Sequence, residues 1–196
     1  MRGGIVGVSV VTATILASPS AAAGPQTLRP VTLLVTNLAD VPGGFVSRAK
    51  SEVVGLYSRI GITLMWEDTR PTDVHILPPS AQRVLLRLTI LQDDPRGLAD
   101  SQALGAAPRR LDDPQVASVY YARVERAARR HDIEPAVVLG HAMAHEVAHL
   151  LMPRYEHSSA GVMKAVWDSH DYVLAAQGQL RFSDAQAALI REVLTR

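Results

Sequence analysis

Apolar residues along this chain recur at two spacings, and the change from one to the other marks its elements. Val31 to Thr36 is a short, β-branched and mostly apolar run, the pattern of a buried strand. From Phe45 to Ile60 the positions Val46, Ala49, Val53, Leu56, Tyr57 and Ile60 recur every three or four residues, which predicts an amphipathic helix. Pro42-Gly43-Gly44 makes a turn before it, and Gly61 closes it from the C′ position. Ile62 to Trp66 predicts a second strand. Strand, helix and strand in this order predict a parallel βαβ opening.

Beyond that opening the pattern is less even. Thr69 to Ser80 reads as a proline-interrupted loop, Val84 to Ile90 as a third strand and Ala117 to Tyr121 as a fourth. Gln92 to Leu111 is rich in Asp, Pro, Gly and Arg and has little periodicity; it is too long for a simple connection and predicts a functional loop or cleft rim. Arg123 to Arg130 predicts a short charged helix. A longer helix starts at Asp132 or at Glu134-Pro135, with proline near its first position, runs to about Met152 and stops at Pro153. Ser183 caps a final helix from Asp184 to Leu194, with Ala185, Ala188, Leu189 and Val193 in its stripe. The sum is an α+β fold with an α/β-type start: a mixed, twisted sheet of about four strands, one long helix and a C-terminal helix. There are no internal repeats and no low-complexity segment.

Composition adds boundaries. A chain of 196 residues at 47% hydrophobic builds one real core, and at 5% aromatic that core is filled by aliphatic side chains and alanine. Nineteen acids against twenty bases leave no basic excess to draw nucleic acid. With no cysteine, disulfides and a thiol nucleophile are excluded. At the N-terminus, Arg2 precedes an uncharged run from Gly3 to Ala17, then Ser18-Pro19-Ser20 and Ala21-Ala22-Ala23, an A-x-A cleavage pattern. Residues 1–23 therefore read as a signal peptide, residues 24–196 as one domain, and the mature protein as secreted or periplasmic, a monomer with no stable membrane partner.

Chemistry is concentrated in the long helix. His145-Glu146-Val147-Ala148-His149 places two imidazoles four residues apart, on one helical face. Two such nitrogens can share a Zn²⁺ ion, and Glu146, about 100° round the helix, can reach a water on that metal as a general base. Two ligands and a base are what zinc hydrolysis of a peptide bond requires. Gly140, Ala144, Val147 and Leu151 form a second stripe that can face a core, opposite the cleft stripe of His141, His145 and His149. The site needs a third ligand. His157, eight residues after His149, is favoured over His141, Asp168 and His170; His141 is read instead as a histidine that backs a ligand or lines the cleft. Trp167 is expected in the core; Tyr155 and Tyr172 read as ordinary surface or core tyrosines, although both are of a type that could hydrogen-bond an oxyanion.

After His157 come Ser158-Ser159-Ala160-Gly161-Val162-Met163, a glycine turn that delivers a methionine. Here the chain resembles the metzincin superfamily of zinc endopeptidases, whose pattern is H-E-x-x-H-x-x-G-x-x-H followed by a turn with a methionine beneath the metal. The match covers His145, Glu146, His149, His157 and Met163. The chain is also similar to small secreted bacterial proteins with H-E-x-x-H-L-L-x…H-S-x-x-G-x-M, which His149-Leu150-Leu151 and His157-Ser158…Gly161-Val162-Met163 fit more closely. It departs from the metzincin pattern in having Met152-Pro153 where that pattern has glycine, and in a third histidine two residues later.

The resemblance implies a zincin-like metallopeptidase domain binding Zn²⁺ through His145, His149 and His157. It implies a zinc-bound water activated by Glu146 against a peptide or protein substrate, and Met163 supporting the site by packing. It also implies an edge strand above the cleft, for which Leu98 to Ala106 are the candidates. The alternative is a non-catalytic zinc-binding module of the same fold.

Overall fold

The strand that the apolar run at Val31 predicts lies inside the sheet, with neighbours on both sides. The structure, a computed structural model, describes residues 28–68, 83–95, 97, 99–107, 116–152 and 157–195. Its elements in chain order are β1 (Val31–Asn37), α1 (Gly43–Ser58), β2 (Leu64–Asp68), β3 (Val84–Leu91), β4 (Gly105–Ala106), β5 (Val116–Tyr120), α2 (Tyr121–His131), α3 (Pro135–Leu151), α4 (Ser169–Ala176) and α5 (Asp184–Thr195). The five strands are ordered β2-β1-β3-β5-β4. The first four are mutually parallel, and β4 alone runs antiparallel, against β5 at the sheet edge.

Register explains which side chains the sheet buries. Leu33 pairs with Leu86, Val35 with Leu88, Leu88 with Ala117 and Ile90 with Val119. Neighbours at one level of a parallel sheet share a face, so these residues build one apolar surface. All of them are buried, and they merge with Val53, Leu56 and Tyr57 of α1 and Leu139, Met143 and Val147 of α3 in a single core. α1 and α3 thus share the core built on this face of the sheet.

The expected βαβ start is present as β1, α1 and β2. Its closing glycine is as the sequence predicts: Gly61 has φ +76°, and Ile62 N–H reaches back to the Tyr57 carbonyl at 3.0 Å. Other boundaries differ from expectation. Gly43 and Gly44 belong to the first turn of α1, whose Pro42 carbonyl accepts from Phe45 and Val46 N–H. No loop separates β5 from α2, because Ala122 N–H, an otherwise orphaned donor at a helix start, finds the Gln92 carbonyl at 2.9 Å. Tyr121 is therefore helical rather than the end of the strand. One described element lies outside the expected set, the eight-residue α4; the two-residue β4 falls within Leu98 to Ala106, the segment expected at the sheet edge. The expected signal peptide and the Thr69–Ser80 loop lie outside the described residues.

Candidate metal centre

The long helix begins where capping rules place it. Asp132 takes a left-handed conformation (φ 52°) to close α2, Glu134 is the N-cap of α3, and Pro135 fills the first helical position, where a missing N–H costs nothing. Fourteen of its 17 residues are buried, so α3 runs through the interior instead of lying on the surface. It is fixed against α1 in two ways. Tyr57 O–H donates to the Ala144 carbonyl at 3.0 Å in a fully buried setting. Gly140 lets the backbones meet: a Cβ there would stand 2.5 Å from Glu52 Cβ and 2.9 Å from the Ala49 carbonyl oxygen.

On the other side of α3 the histidines converge. His149 Nε2 lies 3.0 Å from His145 Nε2 and 3.2 Å from His157 Nε2, and the three nitrogens form one potential metal-binding group. Two Zn–N bonds of about 2.05 Å at a tetrahedral angle put their nitrogens roughly 3.3 Å apart. The observed separations fit that donor set. The residues before His157, from Pro153 to Glu156, lie outside the described residues; His157 itself is brought to the other two despite the proline and the two extra positions.

His145 is oriented by the turn that follows. Its Nδ1 lies 2.7 Å from the Val162 carbonyl oxygen; with the proton assigned to Nδ1, that carbonyl accepts it and leaves the Nε2 lone pair facing His149. Burial lowers its pKa to about 4, so the ring is neutral, as a ligand must be. Trp167 donates from Nε1 to the same Val162 oxygen at 3.3 Å, and its ring meets His145 and His141 edge to face. Val162 immediately precedes Met163, which is fully buried in the core cluster.

The turn is itself held from outside. Val162 N–H donates to the Arg181 carbonyl at 3.1 Å. Gly161 (φ +76°) passes so close that a Cβ would stand 2.5 Å from that oxygen, so both conformation and space demand glycine. From α5, Gln186 Nε2 donates to Ser158 Oγ at 3.0 Å, beside His157.

Glu146 points to the sheet edge. Its carboxylate packs against Gly105 of β4, where a Cβ would stand 2.7 Å from Glu146 Cγ, 2.8 Å from its Oε1 and 2.6 Å from the Ser118 carbonyl oxygen. Glu146 is 5% exposed, and burial raises its pKa to about 8. The region expected to be a cleft rim therefore includes a strand, and that strand touches the candidate base.

The remaining candidates are placed as follows. His141 is wholly buried, its Nδ1 2.9 Å from the Val137 carbonyl, and it is outside the group of three. Burial holds its pKa below the ordinary histidine value. Asp168 caps α4: its Oδ1 accepts from His170 and Asp171 N–H, and Asp171 returns the bond to Asp168 N–H. Lys164 bridges both carboxylates at 2.6 and 2.5 Å. His170 is exposed on the first turn of α4. Tyr172 is 7% exposed and stacks on His131 with centroids 4.1 Å apart. Tyr155 lies outside the described residues. Sequence reasoning missed Gly105, the Arg181 and Gln186 brace, and α4. Only α4 had a local signal, the Asp168-x-x-Asp171 capping pattern.

No family model and no curated protein matches this sequence. Solved structures do. A zinc-dependent peptidase from Methanocorpusculum labreanum matches with a TM-score of 0.55 at 14% identity, covering 82% of this chain and 99% of that one. Archaemetzincin from Methanopyrus kandleri matches with a TM-score of 0.51 at 15% identity, covering 88% of this chain and 99% of that one. The fold is thus that of zincin-like peptidases, and a three-histidine group of zincin type lies within it.

Proposed function

We propose that this chain is a zinc-dependent metalloendopeptidase, with His145, His149 and His157 as the metal ligands and Glu146 as the general base. The observation that carries the reading is the convergence of three Nε2 atoms beside a buried carboxylate from the same helix. Zn²⁺ held there supplies Lewis-acid polarisation of the scissile carbonyl and makes a water acidic enough to be deprotonated near neutral pH. Glu146 takes that proton and passes it to the leaving amine. The Val162 carbonyl keeps His145 in the ligating tautomer, and Met163 supports the site by packing. β4 offers its outer edge to an extended peptide by strand addition, which makes peptides or proteins the substrate class.

One solved structure of similar fold is named a zinc-dependent peptidase and another an archaemetzincin, and Glu146 itself favours catalysis, since a purely structural zinc site has no use for a buried base. The apolar run and the Ala21-Ala22-Ala23 pattern support export, with the mature chain starting at Gly24; N-terminal sequencing of the exported protein checks this. The activity is tested by zinc content together with hydrolysis of casein and a peptide library. One zinc per chain is expected, and Glu146→Gln is expected to keep it while losing roughly 10²–10⁴-fold in kcat. One zinc without hydrolysis by either protein would instead establish the non-catalytic zinc-binding module.

A further inference from the structure

The surface against which Glu146 lies comes from a segment with little regular structure of its own. Between β3 and β5 the described ladder is two residues long, Gly105 opposite Val119 and Ala106 opposite Ser118, extended by Tyr120 N–H to the Leu104 carbonyl at 2.8 Å. The segment is also held by a side chain from outside it. Arg123 stands in the first turn of α2, and its side chain is 12% exposed. Its Nε donates to Asp93 Oδ1 at 2.7 Å. Its Nη1 donates to the carbonyls of Asp100 at 2.6 Å and Ala103 at 3.0 Å. Its guanidinium carbon sits 4.7 Å over the Tyr120 ring. One planar cation joins Asp93, Asp100 and Ala103 to the junction of β5 and α2, and two residues beyond its last contact Gly105 meets the Glu146 carboxylate.

We propose that Arg123 is a positioning residue of the site. It holds residues 99–107 in register with β5, which seats Gly105 on Glu146 and sets the height at which the outer edge of β4 meets an extended peptide. The argument is one of donor geometry. A carboxylate and two carbonyls in different directions need a fork with several fixed N–H groups, and a ring face needs a flat cation. A lysine ammonium is a point charge on a flexible stem and cannot meet all four demands. Only the effect on substrate rests on the peptidase reading; the effect on the strap does not.

The test compares full-length, zinc-loaded protein with Arg123→Lys and Arg123→Ala. Zinc is expected to stay at one per chain in both. Amide exchange from Ala103 to Ala106 should speed at least tenfold in both, while exchange within α3 stays within twofold. On a peptide extending to both sides of the cleaved bond, KM should rise at least fivefold, and lysine should rescue no better than alanine. Wild-type-like exchange of the strap in Arg123→Lys would overturn the proposal. So would an unchanged KM with the strap loosened, or loss of zinc and general unfolding in both variants. If Arg123→Ala does not fold, Arg123→Lys decides. If the wild-type protein cleaves nothing, the peptidase reading falls, and the exchange experiment still judges Arg123.

Discussion

Glu146 carries a conflict that its neighbours impose. A general base must be an anion, yet burial under β4 pushes its pKa up to about 8 in the metal-free protein. A divalent cation beside it reverses that bias by favouring the charged form. Without metal the conflict acts on stability. The folded carboxyl holds its proton to higher pH than the unfolded one, with its ordinary value of 4.5, so the contribution of Glu146 to folding stability falls as pH rises from 4.5 through about 8. Buried His145 and His141, held below the ordinary histidine value of 6.5, contribute the opposite slope up to that value, so chelated protein should lose stability chiefly between 6.5 and about 8, and Glu146→Gln should remove that decline; urea midpoints measured at several pH values check it. The first two candidate ligands and the candidate base could be picked out of the sequence because they share one helix, where spacing alone fixes a face. Gly105 was not legible, since its role is a through-space contact with a residue forty-one positions away, and no local pattern announces it.

At the scale of elements, legibility followed length and self-sufficiency. α1, α3 and α5 carry several turns of apolar periodicity or strong end signals, and all three lie close to their expected bounds. β4 is two residues long and pairs with β5, so Leu98 to Ala106 was marked as a sheet edge by the family resemblance and not by any periodicity of its own. The α1–α3 seam is a contact that periodicity foretold as a stripe and the structure resolves to one position. Gly140→Ala adds a methyl 2.9 Å from a backbone oxygen, and α1 must move to admit it. The expected cost is about 1–3 kcal/mol, despite alanine's better helix propensity, read as a lower denaturation midpoint. On α4, Asp168→Ala removes a side chain that caps two backbone N–H groups and pairs with Lys164. A loss of about 1 kcal/mol is expected from the same measurement.

At the scale of the whole molecule, the described residues form a five-stranded sheet with the candidate centre on the far side of an interior helix, so the centre draws on distant parts of the chain. His145 and His149 come from α3, and His157 is held beside a turn whose supports come from Arg181 and Gln186. A metal that binds only this assembled form stabilises the entire fold by mass action. At free zinc a thousandfold above Kd the gain is about 4 kcal/mol, or roughly ten degrees in Tm for a chain of this size. Calorimetry with and without chelator measures it, and His157→Ala is expected to erase most of the difference.

The brace from Arg181 and Gln186 has one more consequence. It makes the metal centre a report on whether the chain is whole. A ribosome has already delivered every candidate ligand and the candidate base before it delivers either support, and a chain halted or clipped between α4 and α5 would hold those residues without the clamp that aligns them. Activity would then appear late in synthesis and vanish early under trimming from the C-terminus. Such a dependence ties metal binding to a finished C-terminal part of the fold.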